Sequence, residues 1–550
     1  MRLPSLSFFS SSPRRRRCLI GFSALVAAIS VATVAMRAGG TIPLVQTPVS
    51  PSRAVAPRAV KGAIRQIAKP AVAQPTKKPL KPAATSRFIR VGLAAKGAPI
   101  ALWSQYAMTI TDTLQPGRRL TIKPRDTVTF SAGAYTQVTV PGARWQGPLK
   151  IRTAAGVSTA WQAARVWGVG APTHIATNGA NPRWERAYRG GFEIAPQTFS
   201  FEPAKHRGAL RLINIVPLEE YLKGVVPWEM NPSAPLEALK AQAICARSIT
   251  LSKIALQRHT ADSYDICDYD HCQGYSGTAN ERPATTRAVE QTAGLVVWYR
   301  GHVADAVYGT NSGGITAAAA DVWRGSPQPH LQSVRDFLPT LHKATAQVVK
   351  ANMTEADWAR YCSQNLPGYA RPAAAQFRAV RRSSLFQAGD LPEFYRWTRV
   401  IKPRDLAQAM KDRARMATVT EMRVVERAAS GHIKRLLISG PGNENAADVT
   451  RAPARDALAS AAVLLDGDSQ IRAMRSGRLG STTALPSSTF VVLPQRDKQG
   501  RITAFVLKGA GWGHGAGMCQ RGAQSRAAAG WDARRIINFY FRGVEVRKIG

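Results

Sequence analysis

An α+β fold, one large mixed unit preceded by a β-rich extension, is what this 550-residue sequence predicts. Three observations carry that expectation. Short apolar runs separated by turns fill the stretch from Phe88 to Val216, a run of helical periodicity follows Pro235, and strand patterning returns at 419–439. A hydrophobic content of 45% suffices for a large core, and the length suggests about two to four domains. There is no internal repeat.

The N-terminus reads as an export element. Arg14 to Arg17 form a basic start, and Cys18 to Met36 are apolar and uncharged. Val34-Ala35-Met36-Arg37-Ala38 is a poor cleavage site, so residues 1–40 fit a signal peptide or a retained membrane anchor, with the bulk of the chain outside. Residues 41–87 are a linker rich in Pro, Ala and Lys that holds no Asp or Glu and cannot bury a core. The formal charge is +41, of which about fifteen charges fall in the first 87 residues. So basic a chain seeks polyanions. Nucleic acid is set aside, because there is no helix-turn-helix, zinc-finger or aromatic RNP pattern and the export element points to wall polymers or anionic lipid.

Residues 88–200 form the β-rich region and 201–550 the main unit, with a middle region over 345–475. Strands are expected at Phe88–Leu93, Tyr106–Ile110, Thr127–Phe130, Val138–Val140 and Leu210–Val216. Leu295–Tyr299 followed by Ala306-Val307-Tyr308 is hairpin-like. Thr354-Glu355-Ala356-Asp357 is a capping-box start, Pro403-Arg404-Asp405-Leu406 opens another helix, and strands flank a Ser430-Gly431 turn.

Chemistry concentrates around Glu229. The carboxyl lies at a turn between Trp228 and Met230, whose apolar cover would hold its proton near neutral pH. The following helix starts with Ser233 as N-cap and Pro235 in its first turn, and Leu236, Leu239, Ala243 and Ala246 recur at helical spacing. Lys240 and Arg247 are seven apart and share one stripe, suited either to an anionic substrate or to an ion pair with Glu229.

Cys267, His271 and Cys272, with His259 upstream, offer soft metal ligands, and a Cys267–Cys272 disulfide is the alternative. In Thr310-Asn311-Ser312-Gly313-Gly314, a tight turn with exposed amides would hold sugar hydroxyls or carboxylates, unless it is an ordinary hairpin turn. Gly511-Trp512-Gly513-His514-Gly515-Ala516-Gly517 sets an aromatic face beside an imidazole and runs into a helix from Gln520, whose N-terminus favours an anion. His514 is read as a second acid/base or a hydroxyl donor, with a hydrogen-bonded structural histidine as the alternative.

"VVPWEM…PLEALKAQAICARS", the Asp265–Tyr275 element, Thr310–Gly314, and Trp512–Ala523 followed by Ile537–Val544 resemble, in chain order, the SpoIID/LytB family of cell-wall enzymes. The resemblance covers roughly Phe88 to the C-terminus. It implies peptidoglycan as substrate, lytic transglycosylase activity on peptide-stripped glycan strands, and, in some members, zinc at the matching Cys…His-Cys element. It also implies a second role, as a non-catalytic enhancer of a partner amidase. Trp228, Cys519 and Arg521 depart from the residues common in the family at those positions.

A lytic transglycosylase needs one carboxyl group where most glycosidases need two. Glu229 would protonate the glycosidic oxygen and then take the proton of the MurNAc C6 hydroxyl as it closes on C1. Lys240 and Arg247 would hold the lactyl carboxylate, and Tyr308, Asn311, Ser312 and His514 would line the saccharide site. A hydrolytic muramidase would require a second carboxylate, with Asp268, Asp270 and Asp305 as candidates.

Overall fold

The computed structural model describes residues 87–549 outside a set of intervals, the longest being 154–163, 170–182, 197–209, 338–348, 372–394 and 451–484. The expected export element, the linker up to residue 86, Asp270, and residues 451–475 of the middle region lie outside the described residues. Among the described residues no helix is long and apolar enough to cross a membrane.

The mixed α+β class is borne out. A seven-stranded sheet runs in the order Ile266–Cys267, Phe88–Gly92, Leu210–Pro217, Gly191–Pro196, Leu149–Thr153, Met108–Asp112, Arg119–Ile122. Its pairs are antiparallel except the first, where Val91 lies parallel beside Ile266 and Gly92 beside Cys267. Alternating burial along Met108–Asp112 and Leu149–Thr153 places Met108, Ile110, Leu149 and Ile151 in the core. A six-stranded sheet includes Ile100–Trp103, Thr127–Ala132 and Val138–Val140. The parallel pairing has a functional consequence, because it fixes one end of the cysteine–histidine segment against the sheet.

Three helices follow that sheet: α1 (Leu218–Glu229), α2 (Leu236–Ala255) and α3 (Pro283–Gln291). Nearly every side chain of α2 from Ala238 to Ile254 is buried, as expected of a helix covered on all sides. Pro235, with ψ of 141°, occupies its N-cap position, while Ser233 bonds back to Asn231 Oδ1 (2.9 Å) and does not cap the helix. The expected hairpin after Leu295–Tyr299 closes at His302–Val303 instead of at Tyr308, around Arg300 and Gly301 with φ of 44° and 86°. Tyr308–Gly309 instead pairs in parallel with Met518–Cys519. That bridge draws two segments some two hundred residues apart to the end of α1.

The later elements agree with the sequence expectations. Thr354 Oγ1 accepts the Asp357 N–H (3.2 Å) and Asp357 Oδ2 accepts the Thr354 N–H (3.1 Å), a capping box opening the helix Glu355–Ser363. Strands Glu421–Arg427 and Ile433–Ser439 flank the turn at Gly431, whose φ of 90° suits glycine.

Candidate functional site

Glu229 is the last residue of α1, not part of an irregular turn. Pro227 sits inside the final turn, and Met230 leaves the helix with φ of −135° after donating its N–H to Val226 O. The Glu229 backbone carbonyl, left over at the helix end, accepts from Gln520 Nε2 (2.8 Å), which also donates to Gln242 Oε1 (3.2 Å). Its carboxylate Oε1 accepts the Gly274 N–H at 3.0 Å.

The expected apolar cover takes another form. Met230 is wholly buried with Ala238, Leu239 and Ala288, while Trp228 is 37% exposed. Its indole lies on Gly274, where a Cβ would come within 1.9 Å of the ring. Gly274→Ala therefore has to displace that indole. A loss of about 1 kcal/mol and a changed tryptophan emission are expected in a denaturant melt followed by fluorescence.

Tyr308 joins this site through a network that the sequence did not announce. Gln273 Nε2 donates to the Tyr308 hydroxyl (3.0 Å), and Gln273 Oε1 accepts from Thr250 (2.7 Å) and Tyr221 (3.3 Å). Burial above all, then the charge of nearby Glu229, holds the Tyr308 phenol well above its ordinary pKa. Tyr308 is therefore a neutral donor across the working pH range.

The two cations fare differently. Lys240 is partly exposed and paired with Glu237 (2.7 Å). Arg247 has no exposed side chain. It holds Glu219 through Nε (2.8 Å) and Nη2 (2.6 Å) and donates to the Leu295 carbonyl (2.9 Å). Its expected role on a substrate carboxylate is thus replaced by an internal one, because the stripe that carries it is covered by α1 and the strand Leu295–Tyr299. Arg247→Leu would leave Glu219 without its guanidinium. A loss of about 3 to 5 kcal/mol is expected on denaturant unfolding, where a substrate role would raise KM in a protein of unchanged stability.

The glycine-rich segments also turn inward. Asn311 and Ser312 are buried, Asn311 Nδ2 donating to Ala370 O (3.0 Å) and Oδ1 accepting the Gly313 N–H (2.8 Å). The Gly314 N–H is taken by Ser312 Oγ (3.3 Å) and the Ser312 N–H by Cys519 Sγ (3.3 Å). These amides, expected to meet a sugar, are engaged within the fold. Trp512 pairs with Asn311 through the backbone, the Trp512 N–H donating to Asn311 O at 2.8 Å. Gly313 and Gly511, with φ of 69° and 87°, allow the two chains to meet, since a Cβ on Gly313 would fall 2.7 Å from Gly511 N. His514 Nδ1 accepts the Ala516 N–H (3.1 Å), so Nε2 carries the proton and donates to Tyr308 O (2.9 Å). This is the structural-histidine alternative. The helix that starts at Gln520 is capped by Cys519 Sγ, which accepts the Gly522 N–H. Gln520 thus braces the end of α1; its role at an anion site is not what its contacts show.

His259, Cys267, His271 and Cys272 converge, with one ligand atom of each lying within 4.8 Å of all the others. His259 Nε2 is 3.3 Å from Cys272 Sγ, and His271 Nδ1 is 3.6 Å from both sulfurs. A tetrahedral ion with bonds of about 2.0 to 2.3 Å needs ligand edges of roughly 3.3 to 3.8 Å, the spacing of these three pairs. Both cysteines are free thiols. The hydrogen bond from Cys267 draws the Cys272 thiol down and pushes Cys267 up. His259 Nδ1 faces Asp262 Oδ2 (3.0 Å), the outer partner that orients a ligating imidazole. Lys253 Nζ holds the His271 and Cys272 carbonyls at 2.8 and 2.7 Å.

Residues 206–299 match the family described as Stage II sporulation protein, SpoIID, and 317–470 match a domain of unknown function, DUF8618. The segment that matches the SpoIID model contains Glu229, α2 and the whole cysteine–histidine cluster. It is 27% identical over 336 residues to the Amidase enhancer of Bacillus subtilis (strain 168), covering 58% of this chain and 39% of that protein. It is 31% identical over 168 residues to the Stage II sporulation protein D of the same organism, covering 27% and 48%. An uncharacterized protein of Brachyspira hyodysenteriae is 25% identical over 336 residues, covering 61% and 68%. The chain thus spans less than half the length of either Bacillus subtilis relative.

Proposed function

We propose that this chain cleaves MurNAc–GlcNAc bonds in peptide-stripped peptidoglycan strands as a lytic transglycosylase, with Glu229 as its single acid and base. The observation that carries this reading is the hydrogen bond from Gly274 to Glu229 Oε1, with the neutral phenol of Tyr308 nearby. The Gly274 amide orients Oε1, and Oε2 is the oxygen assigned to give and take the proton in this mechanism. The end of a helix disfavours negative charge on Glu229, while the Gly274 N–H favours it, and opposed influences of this kind suit a group that must both give and take a proton. Glu229 protonates the glycosidic oxygen as the C1–O bond breaks. It then removes the proton of the C6 hydroxyl, whose oxygen bonds to C1 and leaves a 1,6-anhydro end.

Zn2+ is the ion proposed for the His259, Cys267, His271 and Cys272 set. Two thiolates and two imidazoles make a closed four-ligand site, which would supply folding energy and no bound water for chemistry. The protein is proposed to act outside the cytoplasm, in the periplasm or cell wall, exported or anchored by residues 1–40.

A second reading is favoured by the relative named Amidase enhancer: the chain binds glycan and stimulates a partner amidase. Mass spectrometry of products from purified peptide-free strands separates the readings. Anhydro ends support cleavage, products heavier by one water indicate hydrolysis, and an unchanged substrate leaves the enhancer.

A further inference from the structure

The exposed large apolar side chains among the described residues are Phe88, Leu114, Trp228, Leu256, Trp323 and Val425. Both tryptophans of that set, each 37% exposed, connect to the same site by short contacts. Trp228 and Glu229 converge on one residue: the indole lies against Gly274, and the Gly274 N–H meets the carboxylate. Trp323 reaches the site through His514. Its ring lies 5.0 Å from that of His514, His514 Nε2 donates to Tyr308 O, and Tyr308 pairs with Met518, two residues before the Gln520 that holds the Glu229 carbonyl.

Both indoles are held by their backbones. Gly274 has no Cβ to lift the first. The second follows the turn Ala319–Val322, where the Trp323 N–H donates to Ala319 O (2.9 Å) and Val322 packs with Ala317 and Ala516 beside the His514 segment.

The surroundings of each ring decide what it would meet. Trp228 adjoins a carboxylate, and Trp323 adjoins an imidazole and, through α-turn residue Asp321, Ser430 (3.0 Å) and Lys434 (3.7 Å). A partly exposed aromatic ring bordered by hydrogen-bonding groups suits a pyranose ring, apolar on its C–H face and polar at its edge.

We infer that Trp228 and Trp323 are stacking platforms for sugar rings of one glycan strand passing Glu229. Trp323 lies within 317–470, so the inference gives that domain of unknown function a task, the second platform of a binding surface shared with the SpoIID domain. It rests on the reading of glycan as ligand and not on the cleavage step.

The test is calorimetric binding of peptide-free glycan strands to the Glu229→Gln chain, alone and with Trp228→Ala or Trp323→Ala, beside thermal melts. Each Ala variant should weaken binding about tenfold with an unaltered melt, and Trp→Tyr at the same position should restore most of it. Lost binding with no cleavage by the unmodified chain would keep the platforms and remove the transglycosylase. Unchanged binding by both Ala variants, or no binding by the Glu229→Gln parent, would overturn the platforms even where cleavage is found.

Discussion

Glu229→Gln is expected to abolish release of 1,6-anhydro products, by about a thousandfold or more, while the protein melts as before and still binds glycan. The expected size follows from the two tasks the carboxyl performs. An amide can neither give a proton to the glycosidic oxygen nor take one from the C6 hydroxyl, so both proton transfers fail together. The fold has little reason to respond. The anchoring contact at this position is made by the Glu229 backbone carbonyl to Gln520, which substitution leaves in place. A glutamine oxygen can also accept the Gly274 N–H as Oε1 does. Product mass spectrometry and a melt suffice. Anhydro products from the variant at the parent rate would end the assignment of Glu229. Full stimulation of an amidase by a variant that no longer cleaves would place the chain beside the relative named as an enhancer.

What the sequence disclosed depended on the range of the interaction. α2 was legible because its own spacing of Leu236, Leu239, Ala243 and Ala246 declares it, and the capping box at Thr354 is written in four consecutive residues. The cysteine–histidine cluster was legible for the same reason, as three of its four ligands lie within six residues. α1 was concealed by Pro227, which argues against a helix in any local reading although the last turn accommodates it. The direction in which a side chain points is a property of the packed molecule. Lys240 and Arg247 do share a stripe, yet Glu219 and the carbonyl of Leu295 enclose the arginine and leave the lysine near solvent. In the same way Asn311, Ser312 and His514 have the chemistry of a sugar site, and their partners in the segments around Trp512 and Tyr308 take that chemistry up. Gln273, Gln242 and Gly274 lie inside the segments that carry the resemblance, but their roles were not legible there, because each matters through a partner more than thirty residues away.

Removing the ion proposed for the cysteine–histidine cluster is expected to disable the site from a distance. Cys272, Gln273 and Gly274 are consecutive, and each serves a different structure: the thiol belongs to the ligand cluster, the amide side chain holds Tyr308 and Thr250, and the backbone N–H holds Glu229. Lys253 also anchors the segment, binding the His271 and Cys272 carbonyls from α2. With an ion bound, four ligands from three points of the chain fix this tripeptide; without it, two thiols and two imidazoles must be desolvated for little return. Cys272→Ala, or exhaustive chelation, should therefore cost about 5 kcal/mol and lower the melting temperature by roughly 10 °C. Cleavage should fall with it, although no ligand touches the sugar. Hydrogen exchange supplies a readout independent of turnover: the Gly274 amide, protected by Glu229 in the folded chain, should exchange faster in the stripped protein, while amides in the middle of α2 remain slow. Zinc restores protection and cleavage together if the ion acts by holding the tripeptide. A chelated protein that keeps a slow Gly274 amide and loses activity would show that the cluster works by some other route.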